Sequence, residues 1–174
     1  MPVITLTSDI GLQDYMVGAI KGELFQLCPG SGVFDISHQV APFNFPQAAY
    51  LCRSAVAHFP PESFHFILVN LFDKKQDHFL LAQHGGRYFC CADNGLLNMI
   101  IEAAPEKVVQ LLPDRTAPKN TIAVTRLFAA AVNKVLAGTA LEDIGPLTTA
   151  YVQRNSPQPM ISDQWMEGQI IYID

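Results

Sequence analysis

The chain has 174 residues, with 11 basic and 16 acidic side chains and a formal net charge of −5, a balance that excludes a general polyanion binder. Hydrophobic residues make up 49% and charged residues 16%, which places the chain among folded globular proteins and away from disordered ones. One domain of this length buries roughly 70% of the surface its unfolded chain exposes, so neither disulfides nor a structural metal are required.

A short β-branched run over 3–7 predicts a first strand, which enters a polar turn at Ser8, Asp9, Ile10 and Gly11. Over 14–28 the apolar residues Met16, Val17, Ile20, Leu24, Phe25 and Leu27 recur at helical spacing, with Asp14 as the expected N-cap and Pro29 and Gly30 as the stop. A second strand over 33–36 ends in Ser37 and His38. After a loop broken by Pro42 and Pro46, a helix is expected over 46–58, with proline in its first turn.

The run FHFILV over 64–69 is continuously apolar, as for a strand at the centre of a sheet covered on both faces. The stretches 79–82 and 88–91 flank His84, Gly85 and Gly86 and predict a β-hairpin. A short helix over 94–103, a strand over 107–111 and an Ala-rich helix over 126–136 closed by Gly138 follow. From 146 to 164 the chain is polar and lacks apolar periodicity, and EGQIIYID over 167–174 reads as a strand. The sum is an α/β fold, mainly a parallel sheet flanked by helices.

Cys28, Cys52, Cys90 and Cys91 show no CxxC or CxxH spacing and read as reduced core residues; adjacent Cys90 and Cys91 are expected on opposite sheet faces. No basic, apolar leader and no run of about 18 apolar residues occurs, so a cytoplasmic protein without membrane association is expected.

Ligands of open α/β sheets bind beyond the carboxyl ends of the strands. Four polar clusters fall there: Ser8 with Asp9; Asp35 with Ser37 and His38; Asn70 with Asp73; and Asp93 with Asn94. No GxGxxG, GxxxxGK[ST], HExxH or GxSxG follows a strand. Asp9 suits either the two hydroxyls of a ribose or a cap on its own turn. Asp35 and His38 are metal-ligand types that could join Asp9 and Asp14 in one site, or His38 is a loop residue bonded to backbone. Phe43, between two prolines, either stacks on a planar base or buttresses its loop. Lys74 and Lys75, beside Asp73 and Asp77, read as a charge-compensated solvated loop.

The segments TLTSDIGLQDYMVGAIKGELFQLCPG, VFDISHQVAPFNFPQAAYL, FPPESFHFILVN and FCCADNGLLNMI, in that order, resemble the S-adenosylmethionine (SAM) hydroxide adenosyltransferase family, which includes the fluorinase and chlorinase. The resemblance implies an N-terminal α/β domain over 1–148, a linker over 149–165 and, over 166–174, the first strand of a truncated C-terminal β-barrel domain. It further implies a homotrimer binding SAM or adenosine between neighbouring subunits. No metal and no separate cofactor are expected, SAM being substrate or ligand.

By the same resemblance Asp9 holds the ribose hydroxyls, Phe43 lines the pocket, and Ile122 and Val124 lie in the segment that closes over the ribose and the nucleophile. Asp174 matches an acidic residue receiving the methionine amino group. SAM-hydrolysing members carry an Asp-Arg-His triad, which here aligns with Asn70, Asp77 and Ala123. Asn70 can orient water but is no base, and the neighbouring His78 lacks the fixed charge and fork of arginine. Halide use is not expected, because the long insertion of the fluorinase is absent between Asn70 and Asp93. The function expected is SAM binding with hydrolysis to adenosine and methionine; the alternatives are a catalytically silent SAM or adenosine binder and a metal-dependent hydrolase using Asp9, Asp35 and His38.

Overall fold

A computed structural model describes residues 1–72, 77–114, 116 and 118–173. The first half alternates strand and helix: β1 (Val3–Ser8), α1 (Met16–Leu27), β2 (Gly32–Ser37), α2 (Phe45–Val56) and β3 (Phe64–Leu68). A hairpin of β4 (Phe79–His84) and β5 (Arg87–Ala92) follows, then α3 (Leu96–Ile101), β6 (Lys107–Leu111), α4 (Thr121–Leu136) and α5 (Leu141–Ile144). The six strands form one sheet in the order β2-β1-β3-β5-β4-β6. Neighbours from β2 to β5 pair in parallel, and β4 alone runs against both its partners.

The two-residue period of the strands divides the core. Ile4, Leu6, Phe64, Phe66, Leu68 and Cys90 pack under α1 and α4, whereas Ile67, Val69, Phe89 and Cys91 pack under α2 and α3. All four cysteines are free and buried, with Cys90 and Cys91 on opposite faces as their adjacency requires. The crossover from β1 to β2 through α1 and that from β2 past β1 to β3 through α2 run in opposite directions across the sheet, and both keep the favoured hand by using opposite faces. The loops after β1 and β3 therefore part at the carboxyl end of β1, and this gap is where the side chains of interest gather.

Several elements differ from expectation. Tyr15 rather than Asp14 holds the N-cap position of α1, Asp14 accepting from the Met16 amide from one residue earlier, and α5 and the strand Met160–Ile161 fall where no element is expected. α4 starts at Thr121, five residues earlier than the periodicity predicts, because the Asn120 side chain accepts from the Ala123 amide and caps the β-branched segment 121–125 as helix. Among the described residues, the strand expected over 167–174 appears only as Met166–Glu167, β8, paired antiparallel with Met160–Ile161, β7.

The polar stretch before that hairpin is docked on the sheet. The Thr148 amide bonds Val108 O and the Gln110 amide bonds Pro146 O, covering the edge of β6. Gly145 permits this, since a Cβ there would lie 2.0 Å from Gln110 O. Further on, the Val152 amide donates to Asp93 Oδ1 at 2.7 Å, and Arg154 exchanges two bonds with the Asn98 side chain at 2.6 and 2.9 Å.

Candidate functional site

Asp9 follows β1 and Asn70 follows β3, adjacent parallel strands. The Asn70 amide donates to Asp9 Oδ2 at 2.9 Å. Asn94 holds the same turn from the other side, its Nδ2 donating to Val69 O and Asn70 O. The Phe43 amide in turn donates to Asn70 Oδ1 at 3.0 Å.

Both Asn70 and Phe43 sit in the left-handed region, at φ 47° and 61°. Such a conformation is uncommon for asparagine and an outlier for phenylalanine, so the hydrogen bonds joining Asp9, Asn70 and Phe43 hold backbone that would otherwise relax. Asn70 is 92% buried, and its Nδ2 has no partner among the described residues.

These residues enclose a cavity of about 300 Å³, at the lower end of small-ligand sites. Leu68 and Leu71 give it an apolar floor, Phe43 and Phe72 form its rim, and Thr121, the first residue of α4, completes the wall. The rim rings are solvent-exposed, at 65% and 48%. With Oδ2 of Asp9 occupied by Asn70, Oδ1 remains to accept a ligand hydroxyl. The exposed rings offer faces to a planar group, and the first amides of α4 carry the positive end of its dipole.

The remaining expected residues lie as follows. Ile122 packs half-buried against the core beside the cavity, while Val124 is buried in that core; Thr121 is the residue of the segment that lines the wall. Asp174, Asp73, Lys74 and Lys75 lie outside the described residues. Asp77 is exposed and bonds His78 Nδ1, which holds its carboxyl below the usual range; His78 Nε2 bonds Asp93 Oδ2 at 3.0 Å.

His38 lies in the loop after β2, as expected, but its side chain bonds the Ser8 side chain rather than backbone. It is buried, with Nδ1 2.7 Å from the Ser8 hydroxyl and Nε2 3.1 Å from Asp35 Oδ1. Burial raises the Asp35 carboxyl, but Lys21 and His38 beside it outweigh that and hold the group below the usual carboxylate range. Among the described residues no group of three or more His, Cys, Asp or Glu is placed to hold a metal ion. Asp9, Asp35 and His38 are each engaged by protein partners, which disfavours the metal-dependent reading.

Sequence reasoning did not find Thr121, Phe72, Leu68 or Leu71. The available signal for Thr121 was Asn120, an N-cap residue type ahead of the α4 segment. For Phe72 it was a bulky ring just past a strand end.

Fold and cavity together define an α/β protein with a ligand cleft at a topological switch point. The model of the SAM hydroxide adenosyltransferase N-terminal domain matches residues 4–145, and the chain belongs to that family. It is 26% identical over 141 residues to an (R)-S-adenosyl-L-methionine hydrolase from Methanocaldococcus jannaschii, covering 78% of this chain and 54% of that protein. A Thermus thermophilus protein of the same name is 25% identical over 185 residues, covering all of this chain and 71% of the relative. The chain thus spans about half the length of the first relative and more of the second. An uncharacterized conserved protein from Thermotoga maritima shares the fold with a TM-score of 0.81 at 22% identity, covering 100% of this chain and 68% of its own.

Proposed function

We propose that the chain binds S-adenosylmethionine in the cavity beyond β1 and β3 and takes part in its hydrolysis to adenosine and methionine. The observation that carries this reading is the Asp9 carboxylate, pinned through Oδ2 by the Asn70 amide and leaving Oδ1 toward a ribose hydroxyl. Membership of the family and the names of the two hydrolases support it.

In the reaction, a water or hydroxide oxygen bonds the ribose 5′ carbon from the side opposite sulfur. The carbon–sulfur bond breaks, its electron pair passes to sulfur, methionine leaves as a neutral thioether, and the water proton goes to solvent. The sulfonium is already a good leaving group, so alignment and exclusion of bulk water are most of the task. Asp9 and Phe43 fix the nucleoside, and Asn70 helps hold the attacking oxygen by donating a hydrogen bond rather than by taking a proton. Ile122 and Val124 back the wall that Thr121 presents, and Asp174 receives the methionine amino group. The exposed Phe43 and Phe72 rim suits a neighbouring subunit of a homotrimer closing the cleft.

Incubating the protein with SAM and separating adenosine and methionine by chromatography tests the reaction. Asp9→Ala is expected to weaken SAM or adenosine binding by about 1.5–3 kcal/mol, roughly 10- to 150-fold. An unchanged dissociation constant overturns the ribose assignment.

A further inference from the structure

Behind Asp9 runs a chain of polar side chains that the cavity does not touch. Ser8, wholly buried, is the last residue of β1 and precedes Asp9. Its hydroxyl lies 2.7 Å from Nδ1 of His38, itself only 3% exposed. Asp35 Oδ1 stands 3.1 Å from His38 Nε2, and Asp35 Oδ2 stands 2.5 Å from Lys21 on α1. Nε2 faces the Asp35 carboxylate at ion-pair distance without forming an aligned hydrogen bond; with the imidazole proton on Nε2, toward that carboxylate, Nδ1 accepts the Ser8 O–H and fixes the hydroxyl's direction.

The backbone repeats the link. The Gly11 amide donates to His38 O at 2.7 Å, and the Val40 amide to Ser8 O at 3.3 Å, so residues 38–40 bracket the turn that carries Asp9. The β1 pairing with β2 skips a residue here, Leu6 facing Asp35 and Thr7 facing Ser37. Bulges of this kind re-aim side chains beside functional sites, and this one brings His38 against Ser8. A buried imidazole between a buried hydroxyl and a carboxylate costs desolvation that an apolar side chain of like size would avoid.

We infer that His38 is a positioning residue that sets Asp9 through Ser8, with the Asp35 carboxylate, paired to Lys21, facing the imidazole from behind. The inference rests on the reading of Asp9 as acceptor of the ribose hydroxyl. Neither Ser8 nor His38 touches the ligand; both determine where the Asp9 carboxylate stands.

Ser8→Ala, His38→Leu and His38→Asn are compared in the native and in the Asp9→Ala background, reading SAM dissociation constants by calorimetry and hydrogen exchange of the Gly11 and Val40 amides without ligand. Ser8→Ala and His38→Leu are expected to weaken SAM about 5- to 20-fold in the native background and less than about twofold in the Asp9→Ala background, the mark of two residues acting as a unit. His38→Asn, which keeps an acceptor near the place of Nδ1, is expected to recover most of the loss, and Ser8→Ala serves where His38→Leu does not fold.

Equal losses in both backgrounds, or no loss with amide exchange also unchanged, overturn the inference. If Asp9→Ala leaves affinity unchanged while Ser8→Ala accelerates exchange at Gly11 and Val40, the ribose reading fails and the positioning of the turn by His38 stands.

Discussion

His65 makes the fold sensitive to acid in a definite window. It is the second residue of β3, 1% exposed, with Nδ1 2.7 Å from the Thr5 hydroxyl and Nε2 2.9 Å from that of Ser63. Phe59 and Phe89 flank its ring. Removal from water, with a smaller contribution from the Arg87 charge, pushes its pKa down from 6.5 to about 3. Two hydroxyls satisfy a neutral imidazole, one donating and one accepting, but leave an imidazolium without a counter-charge.

The sign follows from the depressed value. Above pH 6.5 both folded and unfolded chains carry neutral His65, and its contribution to stability is complete. As pH falls, the unfolded chain takes up a proton that the folded chain refuses, and stability is lost until about pH 3, where the folded form also titrates. At about 1.4 kcal/mol per pH unit, the whole window is worth about 5 kcal/mol and the interval from pH 7 to 5 about 2 kcal/mol. Urea unfolding of the wild type and of His65→Gln at pH 7, 6 and 5 reads this directly. Whatever the variant costs at pH 7, the gap between the two proteins should narrow by about 2 kcal/mol at pH 5. Parallel pH dependences would refute a buried neutral imidazole.

Gly95→Ala should destabilise the fold by about 2–3 kcal/mol. Gly95 sits at φ 93° and a Cβ would lie 2.3 Å from Arg154 Cγ, expelling a side chain whose Nε bonds Asn94 O and whose guanidinium lies 4.1 Å over Phe45. In an Arg154→Ala background the cost measured by thermal unfolding should fall to the backbone strain and the 3.0 Å contact with the Cβ that remains at position 154. Phe43→Gly should leave stability unchanged or raise it by up to about 1 kcal/mol, since it relieves a left-handed phenylalanine, yet weaken SAM binding roughly 2- to 13-fold through the lost ring; calorimetry of folding and of binding separates the effects. Burial pushes the thiols of Cys28, Cys52, Cys90 and Cys91 up, so a disulfide reagent at pH 8 should be consumed slowly by the native protein and by all four thiols at once in denaturant.

Local signals placed most elements and the site's first residue. The apolar run FHFILV marks a central strand because both faces of β3 are covered, and Asp9 is marked by its place just past a β-branched run. The start of α4 was not legible from propensity, since 121–125 is rich in β-branched residues and the helix there depends on the Asn120 cap and on packing of Val124 and Phe128. Likewise His38 and Ser8 are 30 residues apart, and no short-range pattern records that a bulge in β2 sets one against the other.

Hydrophobic period, turn residues and charge balance, all local in the chain, were enough for the α/β class, the order of elements from β1 to α4 and the carboxylate at the end of β1. Which faces α1 and α2 cover, where Thr121 stands, and how Asn70, Phe43 and His38 converge on Asp9 were decided by tertiary structure alone. Those contacts join strand ends brought together by sheet register and crossover handedness, and the hydrogen bonds holding Asn70 and Phe43 in the left-handed region exist only once the sheet has formed.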